Sequence, residues 1–266
     1  MDKKSDFYIW FRGNKRTEIK YIEHLLNDIK YDKIIEPFGG SCSVSRYIYN
    51  NIDLNKEKEY YISDVNKDLT FFCNNFYKYD DIIINKCIEN INLFDTKTKY
   101  NEYVNNKVFN DDIDKLVYYL FIYKNCYIRP TMYPSRRKIT LKNYKTDMIN
   151  TNNFFKNIYY HNQSYKIFFD NFKDDENALI FLDPPYIQTS NAFYDYYDNH
   201  NDSYDIYKNI INLFKNCKCK IIYIVPYDPL LHLLFDEYTY MIYDKKYCSN
   251  PLYKKKLQHV VYTKNI

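Results

Sequence analysis

The tetrapeptide Asp183-Pro184-Pro185-Tyr186 is where residue types and order in this chain point most directly to chemistry. Two consecutive prolines fix φ and withhold their N–H groups from any strand ladder, so the chain must leave the preceding segment along one rigid path. On that path the Asp183 carboxylate and the Pro184 carbonyl converge as two acceptors, and Tyr186 offers a flat stacking surface. Two acceptors and a platform suit an exocyclic amine with two hydrogens on an aromatic base. The alternative is a rigid strand exit with a structural tyrosine. A second cluster is Glu36-Pro37-Phe38-Gly39-Gly40, followed by Ser41-Cys42-Ser43. Glycine there lets the backbone approach a ligand closely, as in nucleotide-binding turns between strand and helix. Asp64 lies 24 residues beyond Gly40, a position from which an acid accepts hydrogen bonds from ribose hydroxyls. The fourth cluster, Phe11-Arg12-Gly13-Asn14-Lys15, joins an aromatic, a glycine and a lysine. Taken alone it reads equally as an ordinary turn.

The elements that must hold these clusters are strands ending at each of them. Lys33-Ile34-Ile35 leads into the glycine turn, and the segment from Ser43 to Ile52 reads as a helix. Tyr60 to Asp64 reads as a strand ending on its acid, and Asn177 to Leu182 as a buried strand ending on Asp183. Residues 204–216 have the apolar spacing of an amphipathic helix, and Lys220 to Val225 follow as another strand. Alternating strand and helix predicts an α/β layered fold with a largely parallel sheet, in which ligands bind at the carboxyl ends of the strands. Between about residues 70 and 155 the alternation lapses into helical candidates, FFCNNFYKY, DIIINKCIENI and DKLVYYLFIYKN. The expected organisation is a core of residues 1–70 and 156–266, with residues 71–155 as a helical substrate-recognition subdomain.

Composition narrows the setting. With 266 residues and 46% hydrophobic content the chain can bury a large core, and it holds no run of eighteen apolar residues. Its start lacks the apolar stretch of a signal peptide. Seven scattered cysteines without a CxxC pair predict reduced thiols, no metal site and a cytoplasmic location, with the nucleus left open. Only 3 glycines occur, where average usage would give about nineteen. Two of them, Gly39 and Gly40, form one pair, which marks a backbone that does not tolerate a Cβ. The net charge is +4, but residues 134–145 hold five basic residues and no acid, and residues 245–266 hold six lysines and no acid. Without those eleven, 27 basic residues face 34 acidic ones. Two cationic segments on an acidic body fit a polyanionic partner, or simply two solvated loops.

Taken together, the four clusters in this order resemble the Dam-type DNA adenine-N6 methyltransferases, in which a glycine motif precedes the catalytic one. FRGNK resembles that family's N-terminal motif, EPFGGSCSV its glycine turn, SDVNKDL its acidic segment and FLDPPY its catalytic motif. YKKKLQHVVYTK resembles its closing lysine-rich turn and last strand, so the likeness runs from about residue 8 to 264. The resemblance implies a Rossmann-like methyltransferase sheet with a helical target-recognition insertion, S-adenosylmethionine as cofactor and double-stranded DNA as partner. It makes Asp183, Pro184, Pro185 and Tyr186 catalytic. Phe11 and Lys15 would flank the cofactor's methionine end, with Asp183 beside it; Phe38, Gly39 and Gly40 would floor its pocket. Asp64 would hold the ribose, and Tyr165 would lie near the adenine. Arg129, Arg136, Arg137, Lys138 and Lys142 in the insertion, with Lys254, Lys255 and Lys256, would contact DNA.

The chain departs from the family at three places. Cys42 stands where a second glycine is usual, Gln258 where a Glu is common, and the insertion lacks the family's FN-x-P-x-G recognition segment. No target sequence is therefore carried over. Adenine methylation in RNA, a non-catalytic methyltransferase-like subunit and a purely structural nucleic-acid binder remain as alternative readings.

Overall fold

The computed structural model describes residues 15–91, 97–106, 108–125, 153–186, 200–246 and 256–266. At its centre lies a seven-stranded sheet of β1 (Lys33–Glu36), β2 (Glu59–Ser63), β3 (Tyr160–His161), β4 (Ala178–Leu182), β5 (Lys220–Pro226), β6 (Thr239–Lys246) and β7 (Lys256–Lys264). Their spatial order is β3-β2-β1-β4-β5-β7-β6. The pairs from β3 to β5 are parallel, and β7 runs antiparallel to both of its neighbours.

The central strands are apolar through their middles, β4 along its whole length, because both faces of the sheet are covered. Successive residues alternate between two cores, as the period of two requires. Ile34, Leu179, Phe181, Ile222 and Ile224 pack on one face with Leu25 and Leu26 of the helix Glu23–Asp28 and Val44 and Ile48 of the helix Ser43–Asn51. Ile35, Ile180, Leu182, Ile221 and Tyr223 pack on the other with Phe168 and Phe169 of the helix Tyr165–Phe172 and Ile210 and Phe214 of the helix His200–Asn216. The strand order reverses at β1, which leads to β2 on one side and pairs with β4 on the other. The carboxyl ends of β1 and β4 therefore form the switch point, which is where the ligand crevice of open α/β sheets lies.

Among the described residues the α-helices of the helical stretch are Lys67–Asn75, Asp80–Ile91, Lys97–Asn105 and Asp112–Asn125. Asn66 starts the first by accepting hydrogen bonds from the backbone of Asp68 and Leu69, both at 3.0 Å. Phe72, Phe76, Leu116, Leu120 and Phe121 share one core with Ile62 of β2 and Tyr160 of β3, so these helices seat directly on the β3 edge of the sheet. Among the described residues no helix is long and apolar enough to cross a membrane.

β6 has no counterpart in the strands read from the sequence. It is an edge strand: Tyr240, Ile242 and Asp244 face solvent, while Tyr243 and Lys245 turn inward. The inward lysine and outward isoleucine invert the usual polarity and hide the alternation. Those two inward residues reach the candidate site.

Candidate active site

The glycine turn is built between β1 and the helix Ser43–Asn51. Gly39 donates its N–H to the Ser63 carbonyl at 2.7 Å, and its carbonyl accepts from Cys42 N at 2.7 Å. A Cβ at Gly39 would stand 2.5 Å from Ile62 Cγ2 and 2.6 Å from the Tyr160 hydroxyl. Glycine is therefore demanded there by the protein wall of β2 and β3, not by the ligand side that the sequence suggests. Gly40 has φ 49°, in the left-handed region that glycine enters without strain. Its carbonyl accepts from the Tyr160 hydroxyl at 3.1 Å, and its N–H donates to Asp64 Oδ2, also at 3.1 Å. Asp64, at the end of β2, also accepts from Asn66 N at 2.9 Å. Burial raises its carboxyl above the ordinary value against the pull of these backbone donors. Phe38 stacks on Tyr165 with ring centroids 5.1 Å apart, so the turn and the first residue of the helix Tyr165–Phe172 form one aromatic pair.

Across the crevice, β4 ends on Asp183. The Lys15 ammonium donates to Asp183 Oδ1 and, at 2.8 Å, to the Tyr186 hydroxyl. Only 1% of the Lys15 side chain is exposed, so a buried lysine meets a partly buried carboxylate at the strand terminus. Burial raises the Asp183 carboxyl, and the Lys15 charge opposes that rise. The Lys15 backbone N–H donates to Ser43 Oγ at 3.0 Å, which ties this lysine to the glycine-turn helix as well. Tyr207 donates to the Pro185 carbonyl at 3.0 Å, fixing the exit of the proline pair.

Two buried carboxylates to which the sequence assigned no role complete the surroundings. Glu36, the last residue of β1, accepts from Ser45 N at 3.3 Å through Oε1, while its buried Oε2 has no hydrogen-bond partner among the described residues. Burial pushes its carboxyl up to about 8. Glu18 lies one turn beyond Lys15 and accepts from Tyr243 at 2.5 Å and from Lys245; His259 Nδ1 stands 2.8 Å from the same carboxylate. Burial alone would raise Glu18, but His259, Lys15 and Lys245 outweigh it and hold the group well below the carboxylate range. No local motif reveals Glu18, because its partners lie more than 220 residues away on β6 and β7. For Glu36 the signal was present, as the acid of the turn motif.

The fold thus brings Lys15 onto Asp183 and Tyr186, with Pro184 and Pro185 between them in the chain, at the end of β4. It joins Phe38 to Tyr165 and Gly40 to Asp64 at the ends of β1 and β2, with Gly39 in the same turn. Phe11, Arg129, Arg136, Arg137, Lys138, Lys142, Lys254 and Lys255 lie outside the described residues. Lys256 opens β7 opposite Lys246. Among the described residues no group of three or more His, Cys, Asp or Glu is placed to hold a metal ion.

A mixed α/β sheet with its acidic and glycine-bearing strand ends at one crevice is consistent with the Rossmann-like methyltransferases. Within that class the chain belongs to the D12 class N6 adenine-specific DNA methyltransferases, whose family profile matches residues 11–249. It is therefore a methyltransferase acting on nucleic-acid adenine. None of the curated proteins matches the chain. The class depends on S-adenosylmethionine, and the residues present fit that molecule. The lone Glu36 Oε2 is a buried acceptor for a cationic group, Phe38 and Tyr165 present aromatic surface, and the Asp64 oxygens keep lone pairs for hydroxyls.

Proposed function

We propose that the chain is a site-specific DNA methyltransferase that transfers a methyl group from S-adenosylmethionine to N6 of a flipped-out adenine. The observation that carries this reading is the Lys15 ammonium holding Asp183 and Tyr186 together at the end of β4. S-adenosylmethionine supplies an electrophilic sulfonium methyl. Phe38, Gly39, Gly40, Asp64 and Tyr165, with Lys15 and Asp183 at the methionine end, are the residues that would hold it; Phe11 belongs to the same group.

The N6 lone pair of adenine is delocalised into the ring, which makes the amine a poor nucleophile. Asp183 accepts one of its N–H groups and the Pro184 carbonyl accepts the other, which favours a tetrahedral nitrogen whose lone pair is free to attack. Lys15 occupies one Asp183 oxygen and leaves the second for the amine. Holding the Tyr186 hydroxyl fixes the ring on which the base stacks. Positioning and electrostatics supply most of the rate, and the proton leaves only after the nitrogen has become cationic. Asp183 is the nearest base, and its raised carboxyl suits it to take that proton. In a duplex the amine is hidden, so the adenine must leave the stack. The helices between residues 71 and 155 seat on the β3 edge and carry target recognition. Arg129, Arg136, Arg137, Lys138 and Lys142, with Lys254, Lys255 and Lys256, contact the DNA backbone.

The test is methyl incorporation into mixed-sequence duplex DNA with RNA of the same sequence in competition. Wild type labels the DNA, and Asp183→Ala retains less than about a tenth of that rate, because losing such a contact costs a few kcal/mol in the transition state. Label found in the RNA overturns the choice of DNA, and undiminished transfer by Asp183→Ala overturns the site.

A further inference from the structure

Lys15 pairs with Asp183 from a segment that precedes every strand of the sheet, so something must hold that segment in place. Its backbone is pinned by Ser43, and its first turn is closed by Glu18 N and Ile19 N, which donate to the Lys15 carbonyl at 2.8 and 3.0 Å. The same turn buries the Glu18 carboxylate against the inward faces of β6 and β7, where Tyr243 and His259 stand opposite each other in register. Tyr243, Lys245 and His259 all converge on it, and Tyr21 stacks on Tyr243 with centroids 4.0 Å apart. The network is continuous with the site: the His259 ring meets the Tyr186 ring edge to face at 6.1 Å.

We infer that Glu18 is a positioning residue, an anionic brace that fastens the first turn to the β6–β7 hairpin and thereby sets Lys15 on Asp183 and Tyr186. Two carboxylates, buried Glu18 and partly buried Asp183, are interleaved with two lysines, Lys15 and Lys245. Taking away the Glu18 charge removes the carboxylate that offsets the repulsion between Lys15 and Lys245, and Lys15 is the partner whose own turn Glu18 fastens. Lys15 then withdraws from Asp183. The brace itself follows from the geometry alone; its consequence for methyl transfer rests on the function proposed above.

Accessibility of Lys15 separates the two claims. Pulsed labelling with a lysine-acylating reagent, read by mass spectrometry, compares buried Lys15 with exposed Lys20 and Lys166 in the same chain. In wild type Lys15 is labelled at least about tenfold more slowly than either; in Glu18→Gln it gains about tenfold while Lys20 and Lys166 keep their rates, as local opening requires. Glu18→Asp, which keeps the charge, recovers part of the protection. Tyr243→Phe removes one donor from the same carboxylate; it gives the milder form of the effect and carries the test if Glu18→Gln does not melt cooperatively. Equal protection of Lys15 in wild type and in these variants overturns the brace. Methyl transfer is measured on the same samples. Restored protection with restored transfer in Glu18→Asp supports both claims, whereas faster Lys15 labelling in Glu18→Gln than in wild type, with no methyl transfer by the wild type, upholds the brace and refutes the proposed function.

Discussion

Two buried glutamates flank Asp183, and their surroundings push their carboxyls in opposite directions. Glu18, under the β6–β7 hairpin, is kept ionised by Lys15, Lys245 and His259. Glu36, under the glycine turn, has only backbone and hydroxyl donors around Ser45 and is pushed up to about 8, with Asp183 adding repulsion. Both side chains are all but inaccessible. Burial therefore does not decide the charge of a carboxylate at this crevice; the neighbours do. One acid is already matched with cations and acts as structure. The other has no cation beside it among the described residues, and in a methyltransferase site such a buried acid is where a positively charged ligand group gains most.

The sharpest way to break that contrast is at Lys15, the cation that belongs to the Glu18 side alone. Lys15→Met leaves Asp183 and Glu18 with one cation fewer in a desolvated setting. Removing one partner of a buried pair costs about 3–5 kcal/mol. For a chain of this size that lowers the melting temperature by roughly 10 °C. A loss of only a degree or two would mean that Lys15 is solvated in solution and that the ion pair is no anchor.

The next effect is one of pH, and the two acids pull in opposite directions. Glu36 has a folded value raised from 4.5 to about 8, so the folded chain holds a proton there that the unfolded chain has released. Its contribution to stability is full below pH 4.5 and is lost as pH rises to about 8, by a few kcal/mol at most. Glu18 has a folded value below the unfolded one, so its contribution is present above pH 4.5 and is lost only in stronger acid, as the folded group takes up its proton. Melts of the cofactor-free protein between pH 5 and 8 should therefore show stability falling with pH, and Glu36→Gln should flatten that slope. Saturating S-adenosylmethionine should flatten it too, by stabilising the ionised Glu36. An identical slope in wild type and Glu36→Gln would show that Glu36 is ionised throughout, with an acceptor geometry other than the one described.

Much of the candidate site could be proposed from the sequence because its clusters are local. Asp183-Pro184-Pro185-Tyr186, the glycine pair and Asp64 each carry their chemistry within a few residues of a strand end, and a strand end is written in a short apolar run. β1, β2, β4 and β5 were read for the same reason. The rest depends on pairings between distant segments. β3 has two residues and exists only because β2 offers its edge. β6 turns a tyrosine and a lysine inward, a pattern that makes sense only once Glu18 sits opposite. Glu36 was read with its turn but without a role, since a sequence shows the acid and not the missing partner of Oε2. Lys15 was read from a resemblance; its partner Glu18, three residues on, resembles nothing.

The smallest expected effect lies on the Glu36 side, at Cys42. This residue adopts φ 53° and ψ 35°, the left-handed conformation, as it opens the helix whose Ser45 N–H reaches Glu36. A residue with a Cβ is strained there by about 1–2 kcal/mol, and glycine is not. The Cys42 side chain is nevertheless fully buried in the core beneath the turn, its Sγ 3.9 Å from the Gly40 carbonyl. Cys42→Gly relieves the strain but gives up a small buried side chain and lets the unfolded chain gain freedom, each worth about 1 kcal/mol. The terms nearly cancel, so the melting temperature should move by no more than a few degrees in either direction. Because the turn keeps its path, S-adenosylmethionine affinity by calorimetry should stay within about threefold of wild type, less than a 1 kcal/mol change. A tenfold loss would show that the thiol, not the backbone, shapes the turn over Glu36. A tenfold gain would show that the left-handed strain is carried into the cofactor site and relaxed there, making Cys42 a cost borne at the turn that the family's usual glycine avoids.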